Sequence, residues 1–211
     1  MSLHFHLHPE YPQPHLVSAI VEALRQGSIM LYPTDTVYAI GCDVTVKSAV
    51  ERVRRLKQLS NSKPLTFLCP SLSQIAAYAQ VSDTAYRLMK RLIPGPYTFL
   101  LPATKLVPKL LLDPKRKTTG IRVPDSVICQ TLLGALGNPI VSTSAKLAGE
   151  LLGDLPLTPD DLEPLEKQVD LIVNDSTPLR SLVSTVIDFT QAEPEIVRRG
   201  LGYDIVADLL A

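Results

Sequence analysis

No tryptophan occurs in the 211 residues and only 5% of them are aromatic, so a core must be built mainly from leucine, valine, isoleucine and alanine. Hydrophobic residues still make up 45% of the chain, enough for a substantial core at this length. No apolar run reaches the length of about 18 residues that a membrane helix needs. No basic-then-apolar leader opens the chain either, so a soluble, cytoplasmic protein with no membrane partner is expected. Cys42, Cys69 and Cys129 are odd in number, widely spaced and free of any CxxC pair. That argues against a disulfide framework and a zinc site, and buried thiols with no metal are expected. GxGxxG and GxxxxGK[ST] are both missing, which leaves a Rossmann or P-loop nucleotide site without support. With no internal repeat and no low-complexity linker, a single domain over residues 1–211 is the expected organisation.

Acidic residues are scarce in one place. The net charge is zero, yet residues 52–122 hold 14 Lys/Arg against only Asp83 and Asp113, and the rest of the chain carries the balancing acidic surplus. A segment this basic suits phosphate-bearing partners, a nucleotide or an RNA backbone. The alternative is a set of solvated helix faces far apart in space. At the N-terminus, His4, His6 and His8 alternate along a short strand. Two-residue spacing can hold a metal, or it can mark a solvent-facing edge.

Periodicity and turn residues divide the chain into alternating elements. Helices are expected over Pro14–Gly27, Thr45–Leu59, Val127–Leu136 and Thr158–Val169, with two more between Leu72 and Leu92. Strands are expected over 28–32, 37–42, Pro64–Cys69, Tyr97–Pro102, Gly120–Val123, Pro139–Ser142, Leu171–Asn174, Ser184–Phe189 and Glu195–Arg198. Residues 105–119 read as a basic loop or short helix. Without a strict βαβ rhythm, the expected fold is α/β (α+β): a twisted mixed parallel/antiparallel sheet flanked by helices.

Residues 32–43, Tyr-Pro-Thr-Asp-Thr-Val-Tyr-Ala-Ile-Gly-Cys-Asp, are the most informative stretch. An apolar strand stops at Pro33, exposes Thr34, Asp35 and Thr36, and gives way to a second apolar strand. Three small hydrogen-bonding side chains at a strand end suit a small polar ligand, or an ordinary Thr/Asp turn. Further segments stand out in order: Lys57 with Lys63-Pro64-Leu65, Pro94-Gly95-Pro96-Tyr97-Thr98, Gly120-Ile121-Arg122-Val123-Pro124 and Ser142-Thr143-Ser144-Ala145. Ser184-Thr185-Val186-Ile187-Asp188 and Val197-Arg198-Arg199-Gly200 complete the set.

Together these segments resemble the YrdC-like family, whose best-known members are threonylcarbamoyl-AMP synthases of tRNA modification. The ordered set spans nearly the whole chain, and Ala39 stands where the family's glycine is usual. The resemblance implies a YrdC/RibB-like fold and a reaction joining L-threonine, bicarbonate and ATP, with ATP as substrate and Mg²⁺ as its possible companion. By the same resemblance Thr36, Arg122, Ser142 and Ser184 (with Thr185 beside it) would hold the threonine. Lys57, Lys63, Thr118, Ser144 and Arg198 would hold the nucleotide, and Lys57, Ser144 and Lys146 would act at the reacting phosphate.

Three departures stand against the synthase pattern. The synthases pair a Lys-x-Arg with a later Ser-x-Asn; here the motifs read Lys57-Gln58-Leu59 and Ser144-Ala145-Lys146. Losing one charge-assisted phosphate contact typically removes about 1.5–3 kcal/mol, and an ammonium on Lys146 does not reproduce a guanidinium fork. Leu68 replaces a histidine usual beside the threonine pocket. The pattern resembles the YciO branch of the family. A different role is also open: binding of double-stranded RNA or tRNA on a basic concave surface, which with so few aromatics would track backbone and shape.

Overall fold

The computed structural model describes residues 2–59, 65–113, 115–145, 159–177 and 182–210. The first half contains β1 (Leu3–His6), α1 (Pro14–Arg25), β2 (Met30–Tyr32), β3 (Ala39–Asp43), α2 (Lys47–Leu56), β4 (Thr66–Leu68), α3 (Leu72–Tyr78) and α4 (Asp83–Leu92). β5 (Tyr97–Pro102), β6 (Thr118–Arg122), α5 (Val127–Leu136) and β7 (Ile140–Ser144) follow. The remainder is α6 (Pro159–Glu166), β8 (Leu171–Asn174), β9 (Thr185–Asp188), β10 (Glu195–Arg198) and α7 (Tyr203–Leu210).

The ten strands among the described residues form one mixed sheet in the order β1-β8-β2-β3-β7-β4-β6-β5-β9-β10. Pairs β1/β8, β2/β8, β4/β6 and β5/β9 run parallel and the others antiparallel. The fold class expected from the sequence is therefore the one observed. β1 is an edge strand with His4 and His6 exposed, and among the described residues no three metal-ligating side chains cluster. No described helix is long and apolar enough to cross a membrane.

Strand alternation sends side chains to two separate cores. Leu31, Ile40, Phe67, Phe99, Ile121 and Ile187 point to one face and pack with α2, α3 and α4. Met30, Tyr32, Ala39, Leu68 and Ile140 point to the other, beneath α1 and α5. α1 presents Val17, Ile20, Val21 and Leu24 to that core at helical spacing and starts with Pro14 at its first turn. α5 is capped by the Ser126 hydroxyl and ends on Gly137 in the left-handed region. On this second face β4, β6, β5 and β9 show small or polar side chains, Thr66, Gly120, Thr98 and Thr118 among them. Apart from Leu68, none of these four strands supplies a member of that core. A large part of one sheet face is thus left without a helix of that core, and the ligand-type residues gather at its border.

Several boundaries moved, each for a local reason. α2 begins at Lys47 rather than Thr45, because the Asp43 carboxylate accepts the Thr45 N–H and hydroxyl, both at 2.8 Å, and holds that stretch in a turn. It ends at Leu56 because Gln58 takes φ +49°, which turns Lys57 and Leu59 out of the helix. β7 runs on to Ser144, where Ser144 lies opposite Ala39 and Ser142 opposite Gly41. β6 begins at Thr118, two residues earlier than its sequence pattern suggested. α7 was absent from the sequence reading; its eight residues bury only Val206. Cys42, Cys69 and Cys129 are buried, free thiols, and burial is the main cause that pushes each up to about 12.

Candidate functional site

A cavity of about 290 Å³ is lined by the turn after β2, by residues of β3, β7, β4, β6 and β5, by the segment after α2, and by Val183, Ser184 and Arg198. Of the residues proposed from the sequence, Thr36, Lys57, Arg122, Ser142, Ser144, Ser184 and Arg198 all line it. They come from six separate places in the chain, from residue 36 to residue 198, with Ser142 and Ser144 both on β7. Lys63 and Lys146 lie outside the described residues. Thr118 is the exception among those described: buried at the start of β6 opposite Pro102, it is not part of the cavity lining. Arg122 lies level with Leu68 and Ile140 and Gly120 with Thr66 and Ser142, so Thr118 stands two residues further along β6, toward the Ser144 end of β7.

The turn expected to expose Thr34, Asp35 and Thr36 is folded inward instead. Asp35 and Thr36 are buried. Thr34 Oγ1 accepts the Thr36 N–H at 3.1 Å and donates to Val37 O at 2.7 Å, which closes the turn on itself. The turn folds inward onto the guanidinium of Arg122. Its Nη2 faces Asp35 Oδ1 at 2.6 Å, its Nη1 donates to Thr36 Oγ1 at 2.8 Å, and its Nε donates to Gly95 O at 3.3 Å. Asp35 Oδ2 also accepts the Asp125 N–H at 3.1 Å, so one carboxylate joins the turn after β2 to the loop after β6. Nε and Nη1 are thus hydrogen-bonded, and the buried Nη2 is held beside Asp35 by charge; a guanidinium offers five N–H donors in one planar fork.

Lys57 comes in from the end of α2. It is buried and donates from Nζ to Ser144 O at 2.8 Å, beside the Ser144 side chain at the end of β7. Arg198 is exposed as a residue, yet its guanidinium turns inward: Nε and Nη2 donate to Ser184 O at 3.1 and 2.9 Å, and Nη2 reaches Ser184 Oγ at 2.8 Å. Burial of the guanidinium, and after it the charge of Arg122, holds the Arg198 pKa below the usual arginine range. Arginine remains charged regardless.

Two supporting side chains escaped the sequence reading. Tyr32 donates its hydroxyl to Ser142 Oγ at 2.8 Å, and Thr98 shares a hydrogen bond of 2.8 Å with Ser184 Oγ. Both belong to segments singled out in the sequence, but only their spatial neighbours reveal the role. Leu59 and Leu68 both line the cavity, so two of the three departures from the synthase pattern sit on its wall. No carboxylate is among the described lining residues; Asp35 stands behind Arg122. Three cations and several hydroxyls, with one acid in support, make a receptor for anions.

The basic segment proves to be two populations. Arg54, which donates to Leu110 O at 2.9 Å, is buried, as are Lys57 and Arg122 at the cavity, while Arg52 and Arg116 are held in ion pairs at or near the surface, with Asp170 at 2.9 Å and with Asp188 at 2.7 Å. Arg55, Arg87, Lys90, Arg91, Lys105, Lys109, Lys115 and Lys117 are exposed.

Comparisons with known proteins agree with this geometry. The profile of the Sua5/YciO/YrdC family, described as telomere recombination, matches residues 22–200. The uncharacterised protein YciO of Escherichia coli K12 is 45% identical over 203 residues, covering 96% of this chain and 97% of the relative. The crystal structure of E. coli YciO superimposes with a TM-score of 0.88 at 44% identity, over 96% of this chain and 97% of that one. A threonylcarbamoyl-AMP synthase of Vibrio vulnificus YJ016 is 34% identical over 134 residues, which is 62% of this chain and 72% of the synthase. The crystal structure of P. abyssi Sua5 complexed with L-threonine shares the fold at TM-score 0.88 and 24% identity, over all of this chain and 61% of that one.

Proposed function

Since this chain belongs to the Sua5/YciO/YrdC family, we propose that it is an adenylate-forming enzyme of the threonylcarbamoyl-AMP synthase type. The reaction would convert L-threonine, bicarbonate and ATP into threonylcarbamoyl-AMP, pyrophosphate and water. The amine nitrogen takes the bicarbonate carbon with loss of water, a carbamate oxygen attacks the α-phosphorus, and pyrophosphate leaves. The observation that carries this reading is the convergence of Lys57, Arg122 and Arg198 on one cavity with no carboxylate among its described lining. A substrate carboxylate and a polyphosphate are the groups such a cavity attracts. Chemistry of this kind asks the protein for positioning and charge, and a nucleophilic side chain is not needed.

In this reading Arg122, Thr36, Ser142 and Ser184 hold the amino acid, and Lys57, Ser144 and Arg198 hold the phosphates, with Mg²⁺ entering on the nucleotide. Lys63, Thr118 and Lys146 are proposed contributors on the nucleotide side. Leu59 faces the cavity where the synthases carry arginine, and it limits the rate. Incubation with ATP, Mg²⁺, bicarbonate and L-threonine, followed by chromatography, should yield pyrophosphate and the adenylate. Leu59→Arg with Lys146→Asn should raise the rate roughly ten- to hundredfold, the factor expected for one restored charge-assisted contact. A wild-type protein that binds ATP and makes no adenylate would sink the synthase reading in favour of another adenylate substrate.

The exposed lysines and arginines of α4 and of residues 105–117 favour one partner beyond the small molecules, an RNA backbone. Binding of a tRNA or a double-stranded RNA should then fall steeply as salt rises, with a slope set by the number of phosphates neutralised. Affinity that is flat between low and physiological salt would remove RNA from the proposal.

A further inference from the structure

Tyr32 is fully buried, and its hydroxyl does not bond to its neighbouring strand. β2 pairs with β3, and β3 pairs with β7. The Tyr32 ring crosses over β3 at Gly41 and places its hydroxyl 2.8 Å from Ser142 Oγ on β7. Gly41 is what permits the crossing. A Cβ there would lie 2.8 Å from Tyr32 Cε1 and 2.7 Å from Val141 O. Three residues on three strands, Tyr32, Gly41 and Ser142, thus make a built device, and its last member lines the cavity.

The direction of this hydrogen bond has a chemical consequence. Tyr32 has one hydroxyl proton and gives it to Ser142 Oγ. Burial, more than any other cause, holds the Tyr32 phenol well above its usual pKa, so the proton stays in place through the physiological range. Ser142 then accepts at one lone pair, and its own proton is directed away from Tyr32. Among the described residues Ser142 donates to no protein acceptor, and its open side is the cavity. A serine held in this way acts as a donor.

We propose that Tyr32 is a positioning residue that fixes Ser142 as a hydrogen-bond donor to the carboxylate of the amino-acid substrate. The inference rests on the amino-acid reading of the cavity given above. It adds the element that sets the polarity of one contact, and it accounts for a tyrosine, rather than a phenylalanine, in a buried strand.

The test is calorimetric titration of L-threonine into the full chain as wild type, Tyr32→Phe, Ser142→Ala and the double variant. Loss of one neutral hydrogen bond's worth of ordering should weaken threonine roughly three- to tenfold in Tyr32→Phe. Ser142→Ala should weaken it at least as much, and the double variant should be no weaker than Ser142→Ala alone. Unchanged affinity in Tyr32→Phe overturns the proposal. So does a further loss when Tyr32→Phe is added to Ser142→Ala, since that would make Tyr32 a packing residue. If Tyr32→Phe does not fold, Ser142→Ala decides alone, and threonine binding as tight as in wild type overturns the idea. A wild type that ATP stabilises but that gives no heat with threonine ends the amino-acid reading itself, and this proposal with it.

Discussion

Replacing Arg122 by glutamine is expected to damage both stability and binding, and a second substitution should separate the two losses. Arg122 and Asp35 are nearly buried, with side chains 8% and 6% exposed, and face each other at 2.6 Å. Removing the cation leaves the Asp35 charge to the low-dielectric interior, and breaking a buried pair in this way costs about 3–5 kcal/mol. The neutral pair Asp35→Asn with Arg122→Gln carries no stranded charge, so most of that stability should return. Binding of L-threonine should not return, because the amide offers no charge-assisted fork; a loss of roughly ten- to hundredfold is expected for each contact of that kind. Urea midpoints and calorimetric affinities of the single and double variants measure both quantities. A single variant that unfolds within about 1 kcal/mol of wild type would show that the pair is not the tie between the two loops described above.

Gly200→Ala is the second substitution with a large expected effect. A Cβ on Gly200 would stand 2.4 Å from Val183 O and 2.6 Å from the Ser184 carbonyl carbon and oxygen. All three are backbone atoms, and no rotamer change can move them aside. Ser184 accepts three hydrogen bonds from Arg198 and shares one with Thr98, so the displacement would pass directly into the cavity wall. Destabilisation at the upper end of the 1–3 kcal/mol range for overpacking is expected, together with weaker ATP binding. Gly134→Ala is the internal control: it lies on the exposed side of α5 with nothing within 4 Å of the added Cβ. That change should stabilise by up to about 1 kcal/mol through helix propensity. Thermal melts with and without ATP would report both, and equal melting temperatures for the two alanine variants would refute the steric account.

The same glycine shows how much of the site could be read in advance. Val197-Arg198-Arg199-Gly200 stood out as a motif, yet the need for a glycine becomes clear only when β10 returns beside residues 183–184. Most elements were legible because their signals are local. α5, β5, β8 and β10 run over the residues the sequence indicates, Val127–Leu136, Tyr97–Pro102, Leu171–Asn174 and Glu195–Arg198. Misplaced ends came from side chains competing with the backbone, as Asp43 does before α2.

By itself the sequence determined the kind of protein this is. Its ordered motifs, its alternating strands and its basic segment were enough for a mixed sheet with helices and for membership of its family. Seven of the proposed binding residues do meet at one cavity. Tertiary structure alone decided how they meet: that Asp35 and Thr36 fold in on Arg122, that Tyr32 reaches Ser142, and that Thr118 stays outside the lining. The physical reason lies in range. Arg122 and Thr36 are 86 residues apart and Tyr32 and Ser142 are 110 apart. Periods of two and 3.6 residues state which face a side chain takes. Which distant strand lies beside it is set by the strand order of the whole sheet.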